Sequence, residues 1–219
     1  MPRLLFEKTG NAIWISHLDL MRLFQRAFKR AGFLLTHTQG FNPRPSVSIA
    51  MPLSVGVESI CELLDFDLDG ETVDCAEMLA RLNQTLVAGI RVLKVYDNGK
   101  KIRDLSYLHC QVVLEYDSGI PENTINLLDE LFNRESLFVP KKCKNGIQDQ
   151  DIIPMVKRMD FVVAGERELV LDCLICCQNP TLNPMQIVSA ITLHLPELKP
   201  DFAKCKRIEI FDTDGNVFR

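Results

Sequence analysis

Hydrophobic positions along the first hundred residues change period several times, and each change predicts an element. Residues 3–8 form a short apolar run, the pattern of a buried strand, which ends at Thr9-Gly10-Asn11. Ser16-x-x-Asp19 is a capping signature and predicts a helix that Gly32 can close. On it Leu20, Leu23, Phe24, Ala27, Phe28 and Ala31 recur every three or four residues, and Arg22, Arg26, Lys29 and Arg30 fall on another face. One side is built to pack and the other is positive. The loop Thr38 to Pro45, with Asn42-Pro43-Arg44-Pro45 at its end, opposes regular structure. Strand patterns follow at Val47–Ala50 and Cys61–Leu68, then a turn at Asp69-Gly70, a helical period over 74–86 and a strand over Ile90–Tyr96.

Turn formers and charge at Asp97-Asn98-Gly99-Lys100-Lys101 mark a domain boundary. Beyond it the same order recurs: a strand over Leu108–Tyr116, a helix over 122–133, paired strands at Met159–Val163 and Leu169–Cys177, a helix from Pro184 to His194 and a strand over Arg207–Phe211. Lys141 to Gln150 reads as a mobile polar loop. The prediction is an α+β protein of two tandem ferredoxin-like β-α-β-β-α-β units, residues 1–98 and 104–219.

Composition narrows the class. A chain of 219 residues, 47% hydrophobic and 25% charged, can bury two modest cores. Its net charge of -4 argues against coating nucleic acid or an anionic membrane with the whole surface. The charge is uneven: residues 1–60 hold seven Lys or Arg against three Asp or Glu, about +4, and the rest carries about -8. Contact with an anionic partner is therefore expected to be local. Charge appears at once after Met1-Pro2, which leaves no apolar run for a signal peptide or a spanning helix, so a cytoplasmic protein with eight reduced cysteines and no membrane contact is expected.

Four segments carry a resemblance. Phe6-Glu7-Lys8-Thr9-Gly10, Ile15 to Arg22, Gln39 to Pro45 and Pro52 to Ser59 resemble signature segments of the radical-SAM-linked protein family, a bacterial domain of unknown function often fused to or encoded beside radical SAM proteins. They lie within residues 6–59, and the C-terminal half matches loosely. The resemblance implies a radical SAM protein as partner and no particular reaction. The family often carries His where this chain has Arg44, so a catalytic imidazole is not expected there.

The candidate binding surface is Arg22, Arg26, Lys29 and Arg30, joined by Lys8 and by Phe41, Asn42 and Arg44 of the loop. These charges could hold RNA phosphates, and Trp14 and Phe41 could stack on bases or serve as core or loop anchors. An ordinary solvated helix face, or a docking face for an acidic protein, fits the same residues. His17 sits beside the Ser16 cap and His37 precedes the loop. Converging on an RNA backbone, they would allow metal-independent cleavage like that of ferredoxin-like CRISPR endoribonucleases, but the glycine-rich loop such enzymes carry near the C-terminus is replaced by Asp212-Thr213-Asp214-Gly215-Asn216.

Cys173-Leu174-Ile175-Cys176-Cys177 lacks the radical SAM spacing, and on a strand Cys173 and Cys176 point to opposite faces, so packing is expected rather than metal. Asp65, Asp67 and Asp69 read as one wet strand face able at most to bind a cation weakly. No cofactor or metal is expected. The leading expectation is a non-catalytic RNA-binding or adaptor module that presents transfer or ribosomal RNA to a radical SAM enzyme. The alternatives are a protein-docking scaffold and the endoribonuclease.

Overall fold

The computed structural model describes residues 2–70, 74–143 and 146–219. The protein is α+β, with four α-helices and antiparallel strands among the described residues. It divides into two compact units, residues 1–102 with Arg219, and residues 103–218.

In the first unit, strand β1 (Arg3–Lys8) leads through a 3-10 turn at Gly10–Trp14 to helix α1 (His17–Arg30). Strands β2 (Val47–Ile49) and β3 (Glu58–Phe66), helix α2 (Cys75–Asn83) and strand β4 (Ile90–Tyr96) follow. β1 pairs antiparallel with both β3 and β4, and β2 pairs with β3, so the order is β4-β1-β3-β2. Ser16 caps α1 by accepting from the Asp19 N–H, satisfying one of the helix's open donors. The apolar stripe read from the sequence is the buried one: Leu20, Phe24, Ala27 and Phe28 face the sheet. Phe24 meets Phe6 edge to face at 4.7 Å between centroids, and Phe28 meets Phe66 at 5.0 Å.

The end of α1 is tied down by residues the sequence did not point to. Arg81 of α2 donates to the Ala31 carbonyl, lies 4.5 Å over the Phe33 ring and pairs with Glu77 at 3.0 Å. A cation against the last carbonyls of a helix complements its dipole. Arg30 donates to the Thr85 carbonyl at 2.8 Å.

The turn into β4 approaches the 3-10 segment closely. Gly89, at φ +85°, accepts from the Thr9 N–H at 2.8 Å, and a Cβ there would sit against the Thr9 carbonyl oxygen and 2.8 Å from Ala12 Cβ. Gly89→Ala combines left-handed strain with overpacking against backbone, so a loss of about 3 kcal/mol is expected in urea unfolding.

The second unit has β5 (Leu105–Glu115), α3 (Thr124–Phe132), β6 (Phe138–Cys143), β7 (Gly146–Asp151), β8 (Val156–Val163), β9 (Glu168–Cys176), α4 (Pro184–His194) and β10 (Phe202–Asp212). Antiparallel pairing gives the order β10-β5-β9-β8, the first unit's arrangement with a hairpin inserted after α3. That hairpin, β6 with β7, replaces the mobile loop expected over 141–150. Its strands are held by backbone pairing and expose residues such as Ile147, so they lack the one-sided apolar alternation that would have announced them. Residues 144 and 145 of that expected loop lie outside the described residues. Among the described residues no helix is long and apolar enough to cross a membrane.

Candidate nucleic-acid interface

Amphipathic geometry sets the surface of α1. With Leu20, Phe24 and Phe28 on the sheet, Leu18, Arg22, Arg26, Lys29 and Arg30 are turned outward, and all five are exposed. Asp19 is the only acid on the helix. It serves the cap and pairs with Arg22 at 3.0 Å, and its hydrogen bonds from Ser16 and Arg22 hold its carboxyl below the usual carboxylate range. Arg26 and Lys29 continue the positive face, while Arg30 is partly committed to Thr85.

Lys8 does not share that face. It is fully buried, and its Nζ donates to the Ile13 carbonyl at 3.0 Å. Arg3 is also buried, against Asp65. Two of the seven basic residues behind the N-terminal charge asymmetry are thus internal, and the exposed ones are Arg22, Arg26, Lys29, Arg30 and Arg44.

The proline-containing loop is an ordered finger. His37 and Pro45 form a bridge, Thr38 N donates to the Arg44 carbonyl at 2.9 Å, and Arg44 N donates to Thr38 Oγ1 at 3.1 Å. At its base Ser46 N donates to Thr36 O, and Thr36 N to Asp67 O. Gln39, Gly40, Phe41, Asn42 and Pro43 form the exposed tip, and Phe41 shows essentially its whole side chain, 106% of the reference value. A fully solvated phenyl ring on a hydrogen-bonded finger is no core anchor. Trp14 is 64% exposed at the other end of the unit.

The two histidines do not converge. His17 begins α1 at the Ser59 end of β3, where Gly10 N reaches Glu58 at 3.2 Å and Gly56 N reaches Ile13 O at 2.9 Å. His37 lies beyond the opposite end, where Thr36 binds Asp67. The β3 backbone between these ends spans about 25 Å. Paired acid-base cleavage by His17 and His37 is thereby overturned. His17 Nδ1 is buried with no hydrogen-bond partner among the described residues, and His37 is exposed.

The three aspartates do not form one wet face either. Asp65 is ion-paired with Arg3, Asp67 accepts from Thr36 Oγ1 at 3.1 Å, and Asp69 is held through its backbone to Leu34. In the second unit Cys173 is fully buried, Cys176 ends β9, and Cys177 lies beyond it, with burial raising its thiol pKa to about 12. The thiols that meet come from different strands. Cys110 stands opposite Cys173 and hydrogen-bonds both it and Cys205; the bond with Cys173 and burial push the Cys110 pKa well up against the lowering effect of Cys205, the bond with Cys110 and burial push that of Cys205 up, and the sulfurs are inert core thiols. Sequence spacing could not reveal this, because strand order creates the adjacency.

A polar cluster not anticipated from the sequence lies on the second unit's sheet. Asp172 is approached by His109 Nε2 at 2.9 Å and accepts from Gln111 at 3.1 Å and Arg158 at 3.2 Å. Although its partial burial opposes ionisation, these bonds hold its carboxyl below the usual range. The aspartate is saturated by its own neighbours, a structural role.

Comparison with known proteins bears on fold and family. A chain in a structure described as "Crystal Structure of a Cbf5-Nop10-Gar1 Complex" is similar with a TM-score of 0.54 at 7% identity, the match covering 95% of this chain and 48% of that one. The protein thus spans about half the length of that chain, and the likeness concerns the fold alone. An unknown protein from Galdieria sulphuraria matches at a TM-score of 0.26 and 10% identity, covering 94% of this chain and 96% of its own, too low to carry an argument. No curated protein matches in sequence. One family does, over residues 2–184, which is most of the chain. The chain belongs to the family DUF2344, described as an uncharacterized protein conserved in bacteria.

Proposed function

We propose that this chain is an RNA-binding or adaptor module that presents a structured RNA, transfer or ribosomal, to a radical SAM protein, through a surface on the first of two ferredoxin-like units. The observation that carries the reading is the exposed basic face of α1, Arg22, Arg26 and Lys29, in a unit that also projects a solvated Phe41 beside Arg44 on an ordered finger. Guanidinium and ammonium groups fix a phosphate backbone in register, and an exposed ring offers a stacking face. The shared strand order of the two units supports the ferredoxin-like assignment, since β4-β1-β3-β2 and β10-β5-β9-β8 arise from the same succession of elements. The radical SAM partner rests on the resemblance of residues 6–59.

A gel-shift titration of the full chain against total cellular RNA at two salt concentrations tests the reading. Binding that weakens steeply with salt is expected, because phosphate contacts release counterions. Salt-insensitive binding or none removes it. Loss of a co-purifying radical SAM protein on reversal of Arg22, Arg26 and Arg30, without any RNA binding, would establish the docking scaffold instead.

A further inference from the structure

The chain's one tryptophan is held in place yet open to solvent. Trp14 closes the 3-10 turn Gly10–Trp14 and is 64% exposed. The outer edge of its six-membered ring rests on Gly56, where an added Cβ would lie 3.5 Å from the ring. Gly56 has φ +85°, a conformation that favours glycine, and its N–H donates to the Ile13 carbonyl at 2.9 Å. The same carbonyl accepts from the buried Lys8 ammonium at 3.0 Å. Lys8, expected from the sequence on the basic surface, instead braces the backbone from which Trp14 projects.

Trp14 ends the turn that leads into α1, two residues before the Ser16 cap. Leu18, 66% exposed, lies one turn before Arg22, and Arg26 and Lys29 follow at positions i+8 and i+11 on the same side of α1. From Leu18 to Lys29 the helix rises about 17 Å. A positive track of that length, preceded in the chain by a braced and exposed indole, offers the two components of a single-strand site: charge for the backbone and a π-face for a base. A duplex keeps its bases stacked inside and offers none to the ring.

We infer that Trp14 is a base-stacking residue, and that the α1 track binds an unpaired, single-stranded segment of RNA with one base on the Trp14 indole. This rests on the RNA-binding reading of the α1 face and adds to it the strandedness of the substrate and the residue that senses it. Because Trp14 is the sole tryptophan, its emission reports its own site.

The experiment titrates the full chain with an oligouridylate of about twelve nucleotides and with its oligoadenylate duplex, following Trp14 emission and, in parallel, anisotropy of labelled RNA. The single strand is expected to quench Trp14 and the duplex is not. Trp14→Ala should weaken single-strand binding about tenfold without altering its salt dependence, and Trp14→Phe should restore most of the loss. Thermal unfolding of both variants checks that the turn still folds. Salt-dependent binding with Trp14 unquenched, Trp14→Ala equal to wild type, or preference for the duplex overturns the stacking role and leaves the basic-face reading standing. Absence of any RNA binding by anisotropy overturns both. Loss of a co-purifying protein in Trp14→Ala, with RNA affinity intact, places a protein on the indole and overturns it as well.

Discussion

Reversing Arg22, Arg26 and Lys29 together to glutamate is expected to weaken RNA binding by about 100-fold or more at moderate salt. Each side chain stands exposed on one face of α1, so its charge meets solvent or a ligand and does not support the core. Removing three phosphate contacts should flatten the dependence of log K on log salt by about 2 for a single strand. The fold should tolerate the change. Arg22 gives up only a solvent-screened surface pair with Asp19. Lys29 lies in the last turn, where an acid opposes the helix dipole by about 0.3–1 kcal/mol. The corresponding glutamine triple variant separates lost attraction from added repulsion. It should keep the wild-type melting temperature to within a few degrees and still lose most of the salt dependence. Affinity measured by anisotropy, with unfolding measured alongside, checks both parts.

Asp65→Ala is expected to cost about 4 kcal/mol of stability, a large part of what a domain of this size has. Arg3 Nε donates to Asp65 Oδ1 at 2.5 Å and Arg3 Nη2 to Oδ2 at 3.1 Å, a two-point pair between a residue 3% exposed and one 15% exposed. The guanidinium packs so closely on Gly99 that a Cβ there would lie 2.8 Å from it. Removing the carboxylate leaves a buried cation without this counter-charge. Replacing both partners with apolar residues, Arg3→Met with Asp65→Leu, should recover much of the loss, because the cost lies in the stranded charge. Urea unfolding of the two variants makes the comparison. A loss for Asp65→Ala below about 1 kcal/mol would mean that the pair behaves as a screened surface bridge.

How much of this was legible beforehand varies by element. Helix α1 was readable on both faces because one period encodes both the buried stripe and the exposed charges, and the Ser16 cap lies adjacent in sequence to what it caps. The succession of strands and helices was readable for the same local reason. What failed depended on distant pairing. Lys8 looks like any basic residue at a strand end until the Ile13 carbonyl folds over it. The Arg3–Asp65 pair joins residues 62 apart, and the meeting of Cys110, Cys173 and Cys205 depends on which strands are neighbours. The β6-β7 hairpin carries no apolar alternation to announce it. For the candidate surface, the basic helix face was readable and Thr38–Pro45 was readable only as a loop, its bridged and hydrogen-bonded base was not, and nothing separated His17 from His37. Their separation follows from β3 running the length of the unit between them.

The central claim is that the α1 face holds RNA by charge, and the salt slope tests it most directly. Binding constants for one transfer RNA are measured over a range of salt concentrations for the wild-type chain and the Arg22, Arg26 and Lys29 glutamine variant. The wild-type slope is expected to be steep and the variant slope shallower by about 2. Equal slopes for the two proteins would contradict it.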